Sequence, residues 1–340
     1  MSKGLVVDDL SITFNRQQLE VVNELTLQIG PGEALGLVGE SGSGKSLTAR
    51  AILGLLPTGA VASGKVTFDD VSLLDLPLHE MQKLRGARIA MIFQDPMSSL
   101  NPVLRVGEAI AQVIRSHEPV GSADAHRRAV DLMDRVGIRD PKERSRAYPH
   151  QFSGGMRQRI MIAMALAANP ALLLADEPTT ALDVVVQAGI LRLLTELRHE
   201  KGMGLLLVSH DLAVVGRVSD RVAVMYAGQI VEEGPTSEVL LRPHMPYTIG
   251  LIACVRRDRA QARLTSIPGT PPPSGTRSRG CRFASRCPLA IDACRSTPVS
   301  LAHVGPDHWA RCIRTAEARN LTPVDFASHK PELDVEQGHG

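Results

Sequence analysis

An α/β fold on a mainly parallel sheet is predicted by three features of this 340-residue chain. Short aliphatic runs of strand length alternate with longer segments of helical spacing. Glycine- and proline-bearing turns separate them. Aromatic residues make up only 3% of the chain, so Leu, Val, Ile and Ala must fill the space between sheet and helices.

Leu25, Leu27 and Ile29 alternate with polar residues and predict a half-buried strand. Ala34–Val38 is continuously apolar or small and predicts a buried one. A glycine-rich turn leads to a helix over Thr48–Leu56, stopped by Pro57. Arg88–Phe93 predicts another strand. Val106, Ile110, Val113 and Ile114 have helical spacing, and that pattern persists to Ala168. A helical subdomain inserted over about 95–168 is therefore expected. Strand-like runs return at Leu172–Ala175 and Leu205–Val208, separated by a helix over Val184–Arg198. Arg221–Glu232 predicts a hairpin turning at Ala227–Gly228. After Val255 the composition changes: Arg256–Arg263 is charged and Ile267–Gly280 is rich in Pro, Gly and Ser. The expected organisation is a main domain over 1–255, a linker or extended arm over 256–280, a cysteine-bearing extension over 281–320 and a polar tail over 321–340.

Charge is balanced, with 38 basic against 36 acidic residues, so bulk electrostatics give no footprint for nucleic acid. Apolar runs such as Met161–Ala168 are too short to span a bilayer, which takes about 20 residues. Asp8 and Asp9 stand where a signal peptide would be apolar. Any membrane role is expected to come through partner chains.

Gly39-Glu40-Ser41-Gly42-Ser43-Gly44-Lys45-Ser46 fits the pattern G-x-x-x-x-G-K-[ST], between a strand and a helix. The glycines let backbone N–H groups turn inward around phosphate oxygens, and the helix N-terminus adds partial positive charge. Lys45 is expected at the β- and γ-phosphates of ATP, and the Ser46 hydroxyl on Mg²⁺. Leu172–Ala175 runs into Asp176 and Glu177. Asp176 suits the Mg²⁺ shell, and Glu177 suits polarising an attacking water. Alone, such an acidic pair is more often a solvated turn; beside a phosphate loop it is informative.

Phe152-Ser153-Gly154-Gly155-Met156-Arg157-Gln158-Arg159 resembles the L-S-G-G-Q signature of the ABC ATPase family, and the resemblance covers about the first 250 residues. Phe152 and Met156 depart from the commonest form and look like a peptide-importer variant. The resemblance implies a mainly parallel ATPase core with an inserted helical subdomain. It also implies a pair of such domains sandwiching two nucleotides, with Ser153, Gly154, Gly155 and Met156 facing the partner's γ-phosphate. Gln94 matches the Q-loop glutamine, expected at Mg²⁺ and at the membrane subunits. Ala181-Leu182-Asp183 matches the D-loop. His210 matches the switch histidine, which with Glu177 and Gln94 makes up the catalytic set. Phe14 is the aromatic upstream of the phosphate loop and the candidate for stacking on adenine.

Four of five cysteines fall at Cys281, Cys287, Cys294 and Cys312. The C-x2-C pairs of a zinc ribbon are missing. Four thiolates without histidine suit an iron–sulfur cluster or zinc, ahead of disulfides. Cys287-Pro288 matches some iron–sulfur cysteines. Gly280–Arg295, Val304–Cys312, Pro246-Tyr247-Thr248 and Ile267-Pro268-Gly269 resemble the C-terminal extension of oligopeptide and dipeptide ABC importers. That likeness implies a [4Fe–4S] cluster, although Met245 and Ile313 stand where histidine is common. Cys254 is expected to be a buried structural thiol.

The resemblance implies an ATP-hydrolysing importer subunit for di- or oligopeptides. It would lie peripherally on the cytoplasmic face, with two permease subunits, a second and different ATPase chain, and a solute-binding protein. A metal-chelate or glutathione importer is the alternative within the group. A non-transport ABC ATPase is the alternative outside it, but neither a long coiled-coil insertion nor a second phosphate loop is present.

Overall fold

The structure, a computed structural model, describes residues 4–14, 19–95, 99–180, 182–255, 267–273, 275–276, 278–322, 325–326 and 329. In chain order its strands are β1 (Leu5–Phe14), β2 (Leu19–Ile29), β3 (Ala34–Val38), β4 (Ala60–Phe68), β5 (Val71–Ser72), β6 (Ile89–Ile92), β7 (Leu172–Asp176) and β8 (Gly204–Ser209). β9 (Arg221–Tyr226), β10 (Gln229–Pro235), β11 (Ala302–Gly305) and β12 (His308–Ala310) follow. They form an antiparallel sheet of order β2-β1-β4-β5 and a main sheet of order β11-β12-β10-β9-β3-β8-β7-β6.

Strands β9, β3, β8, β7 and β6 run parallel. Every residue of β3, β7 and β8 is buried, because both faces of a parallel sheet are covered. Alternation along the strands feeds two cores. Leu35, Leu37, Leu172, Leu174, Leu206 and Val208 pack with the antiparallel sheet and the Lys45–Ile52 helix. Ala34, Val38, Leu173, Ala175, Leu205 and Leu207 face the other side, with the helical subdomain and the C-terminal extension.

The helical subdomain comprises Val106–His117, Ser122–Arg135, Pro141–Arg144, a 3-10 turn at Pro149–Gln151, and Gly154–Leu166. The first loop-to-helix boundary differs from expectation. The helix spans Lys45–Ile52, three residues early and four short of the expected end. Gly44, with φ of 106°, turns the chain directly into it, and Gly54, with φ of 61°, turns the chain away before Pro57 is reached. The hairpin turn is where it is expected: Ala227 and Gly228 both have positive φ, 46° and 88°.

The C-terminal extension continues the main sheet. β12 pairs antiparallel with β10, Glu232 opposite Ala310 and Glu233 opposite Trp309. The stretch 267–280, where described, is an extended arm with Ile267 buried; Arg256–Arg263 lies outside the described residues. Cys254, on the Pro246–Val255 helix, is half-buried rather than buried, and burial pushes its thiol pKa up. Among the described residues no helix is long and apolar enough to cross a membrane.

Candidate active site

The loop between β3 and the Lys45–Ile52 helix is built around close backbone approach. A Cβ on Gly39 would lie 2.0 Å from the Met225 carbonyl oxygen, so only glycine fits. Lys45 is 4% exposed and curls into its own loop. Its Nζ donates to the carbonyls of Gly39 (2.8 Å) and Glu40 (2.9 Å) and to Ser43 Oγ (3.3 Å). Burial lowers its pKa, against the opposing pull of Glu177, Asp176 and Glu40. Ser41 and Gly42 form the exposed tip of the loop.

Asp176 ends β7 and is 0% exposed. Ser46 Oγ donates to its Oδ1 at 2.8 Å, while its Oδ2 is buried without a hydrogen-bond partner. Burial raises its pKa; the Ser46 hydrogen bond and Arg50 work the other way. A buried carboxylate oxygen with an unused lone pair beside a hydroxyl fits a hard cation such as Mg²⁺.

Glu177 follows in the left-handed region, φ 47°, while its N–H still donates to the Val208 carbonyl at 3.0 Å. The turn swings its side chain away from the strand axis. Oε2 accepts from Gln94 Nε2 (2.9 Å) and from Thr180 Oγ1 (2.8 Å), and Oε1 lies 3.3 Å from His210 Nδ1. Burial alone would raise its pKa. The Thr180 and His210 hydrogen bonds and the charge of Lys45 outweigh burial and hold Glu177 below the usual carboxylate range. Gln94, expected at Mg²⁺, is thus found on Glu177. Thr180 is a member of the set that sequence reasoning missed; its hydroxyl three residues after the carboxylate was the available signal. Tyr247 was also missed, and its OH accepts the Glu40 N–H at 2.9 Å.

Ser153 caps the Gly154–Leu166 helix, its Oγ accepting from Met156 N at 3.4 Å, and is itself exposed. A Cβ on Gly155 would lie 2.5 Å from Val186 Cγ1, which packs this turn against the Val184–Lys201 helix. Asp183 caps that second helix, accepting from Val185 N (3.1 Å) and Val186 N (2.9 Å). Ala181 of the expected D-loop lies outside the described residues. Ser153–Met156 make no hydrogen bond to their own phosphate loop among the described residues. Phe14 is half-buried at the end of β1, opposite Leu19 and Ala60, and is not among the residues lining the cavity beside Glu40–Ser43.

Cys281, Cys287, Cys294 and Cys312 line one small cavity with Met245, Pro246 and Leu289. The Arg314 N–H donates to Cys312 Sγ at 3.2 Å. Burial pushes the Cys287 thiol up to about 12 and Cys312 up to about 11. Among the described residues no three His, Cys, Asp or Glu side chains stand in an arrangement that would hold a metal ion.

Fold and site together define a nucleoside triphosphatase of the ATP-binding cassette class. Residues 22–180 match the family described as ABC transporter, and 231–294 the one described as Oligopeptide/dipeptide transporter, C-terminal region. A dimeric ATP-binding cassette solved in a post-hydrolysis state with ADP and Pi aligns at TM-score 0.62 and 29% identity, covering 68% of this chain and 98% of that one. The cassette cbiO1 of Clostridium perfringens aligns at 0.62 and 27%, covering 71% and 92%. The oligopeptide transport ATP-binding protein OppD of Escherichia coli is 46% identical over 316 residues, 92% of this chain and 94% of that protein. The Mycobacterium tuberculosis protein of the same name is 47% identical over 337 residues, 98% of this chain, which spans 55% of its length. The chain belongs to the family of oligopeptide transport ATP-binding proteins of ABC transporters.

Proposed function

We propose that this chain is the ATP-hydrolysing subunit of an ABC importer for di- or oligopeptides. The observation that carries the reading is the pair of carboxylates ending β7, pushed apart in character by their surroundings. Asp176 is buried against Ser46 with one oxygen open, and Glu177 is kept ionised between Gln94, Thr180 and His210. Ser46 and Asp176 would hold Mg²⁺, which supplies charge neutralisation at the β- and γ-phosphates when bound. The N–H groups of Gly39–Ser46 and the Lys45 ammonium would bind the phosphate chain, with Lys45 turning from its own carbonyls to the anion. Glu177 would accept hydrogen bonds from the attacking water, and His210 and Gln94 would orient it.

Ser153 would cap the γ-phosphate held by a partner cassette, a reading its exposure at a helix N-terminus supports. Hydrolysis would remove that bridge and let the pair separate. The peptide substrate rests on the printed names of the relatives and on the matched C-terminal region. Two permease subunits, a second ATPase chain and a solute-binding protein complete the proposed assembly, with this chain on the cytoplasmic face.

Cys281, Cys287, Cys294 and Cys312 are proposed to hold a [4Fe–4S] cluster, with zinc as the alternative. What supports the reading is that all four cysteines line one small cavity and that three of them fall in the matched C-terminal region. Anaerobically purified protein is expected to carry iron and sulfide and to absorb broadly in the visible. Stoichiometric zinc without iron would overturn this assignment.

Glu177→Gln tests the central reading. It should leave ATP binding intact, cut hydrolysis by about 100-fold or more, and accumulate an ATP-bound dimer on size exclusion. Turnover at the native rate would remove Glu177 from its role. Uptake of labelled peptide by vesicles carrying the full complex tests the substrate.

A further inference from the structure

Among the described residues, Arg286 is the side chain of the extension seen to hydrogen-bond the phosphate loop. It ends a 3-10 turn, Ala284–Arg286, between Cys281 and Cys287. Backbone hydrogen bonds at the cysteines pin this turn: Cys281 N to Cys294 O (2.7 Å), Ala284 N to Cys281 O (3.1 Å), and Cys287 N to Ala284 O (3.4 Å).

Arg286 is 3% exposed, and all five of its N–H groups meet acceptors. Nε donates to Pro268 O (3.0 Å). Nη1 donates to Glu40 Oε2 (2.8 Å) and Tyr226 OH (3.3 Å). Nη2 donates to Glu40 Oε1 (3.1 Å) and Ile267 O (3.2 Å). The guanidinium carbon sits 5.8 Å from the ring centres of both Tyr226 and Phe283. These rings and Tyr247 pack on one another at 4.5–5.4 Å, in a chain with three tyrosines and six phenylalanines in all.

Glu40 is the second residue of the phosphate loop, and it is held at three points. Tyr247 OH takes its N–H, Lys45 Nζ takes its carbonyl, and Arg286 grips its carboxylate with both arms. A bidentate, desolvated pair fixes direction as well as distance. The phosphate-loop pattern is silent about both side chains: Glu40 fills one of its unspecified positions and Arg286 lies outside it.

We propose that Arg286 is a positioning residue for nucleotide binding: the cysteine-bearing extension clamps the phosphate loop through the Arg286–Glu40 pair and presets it for triphosphate. This deepens the nucleotide-site reading of the Lys45 loop and rests on it. A loop preset in this way binds without first losing its own freedom, so the clamp should act on affinity more than on the chemical step.

The test is a double-mutant cycle on the full-length protein, with a fluorescent ATP analogue for affinity and steady-state kinetics at saturating ATP. Arg286→Met and Glu40→Gln are each expected to weaken binding roughly tenfold, and Arg286→Met to leave kcat within about twofold. The double variant should be no weaker than either single one. Arg286→Lys should fail to rescue, because one ammonium cannot fill five acceptors in a plane. Native affinity in Arg286→Met, or losses that simply add in the double variant, would overturn the clamp. Should Arg286→Met not fold, Glu40→Gln decides alone, since it leaves the extension intact, and unchanged affinity there overturns it equally. Lys45→Ala separates the two readings. If it binds ATP like the native chain, the nucleotide-site assignment fails. If it is defective while the Arg286 and Glu40 variants are normal, only the clamp fails.

Discussion

Asp176 carries opposing demands within one side chain. Its burial raises the folded-state pKa above that of the unfolded chain, so the folded state holds the proton more tightly. The penalty is absent below the unfolded pKa and grows as pH rises through the folded one; at neutral pH the charged form destabilises the folded state. Asp176→Asn keeps an oxygen for the Ser46 hydroxyl and removes that charge. It is expected to raise the melting temperature of nucleotide-free protein at pH 7, with the gain vanishing in acid. Mg²⁺-dependent hydrolysis should fall about 100-fold or more. A lower melting temperature at pH 7 would show that the buried charge is not the source of strain. What was legible at this scale was that three candidate side chains would cluster, because phosphate-loop chemistry restricts residue types at fixed spacing. Gln94, Glu177 and His210 do meet. What was not legible was which partner each would take: Gln94 bonds Glu177, and Thr180 joins through a left-handed turn that composition does not announce.

Among elements, legibility followed burial on both faces. β3, β7 and β8 are uninterrupted apolar runs and were plain. β1 was not read, because its alternation slips. Leu5 and Val7 face the core, the register shifts between Val7 and Leu10, and Asp9 has φ of 49°. β4 hides differently: over Ala60–Lys65 its large apolar residue, Val61, is exposed while the small Ala60 and Ala62 touch the core, and only Val66 and Phe68 are buried. Close packing within the parallel sheet gives a direct test. An ideal Cβ on Gly36 of β3 would stand 2.0 Å from Val215 Cγ1 and 2.8 Å from Ser219 Oγ, where the Leu212–Val218 helix lies on the strand. Gly36→Ala must push that helix outward and should cost about 1–3 kcal/mol. Urea unfolding of the variant measures it, and an unchanged midpoint would mean the helix shifts freely.

Across the whole molecule, the extension is joined to the ATPase by a sheet edge and a buried charge, neither visible in local sequence because both depend on partners far along the chain. Glu232 is 0% exposed on β10. Its Oε1 accepts from His308 Nε2 (2.9 Å) and His244 N (2.6 Å), and its Oε2 from Met245 N (3.2 Å). His308 belongs to β12, so one carboxylate ties the two halves where their strands pair. His308→Ala keeps the two backbone donors but strips the carboxylate of its side-chain partner in a water-free place, which should destabilise by about 3 kcal/mol. Glu232→Gln with His308→Ala should recover part of that loss, since the buried charge goes with its partner. Proteolysis within the arm 267–280 should accelerate in the single variant before the ATPase core unfolds, because the edge pairing is the attachment that has been weakened. If instead the arm stays protected and the whole chain melts in one step at a lower temperature, extension and ATPase form a single cooperative unit. The Arg286 contact to the phosphate loop would then be lost only on global unfolding.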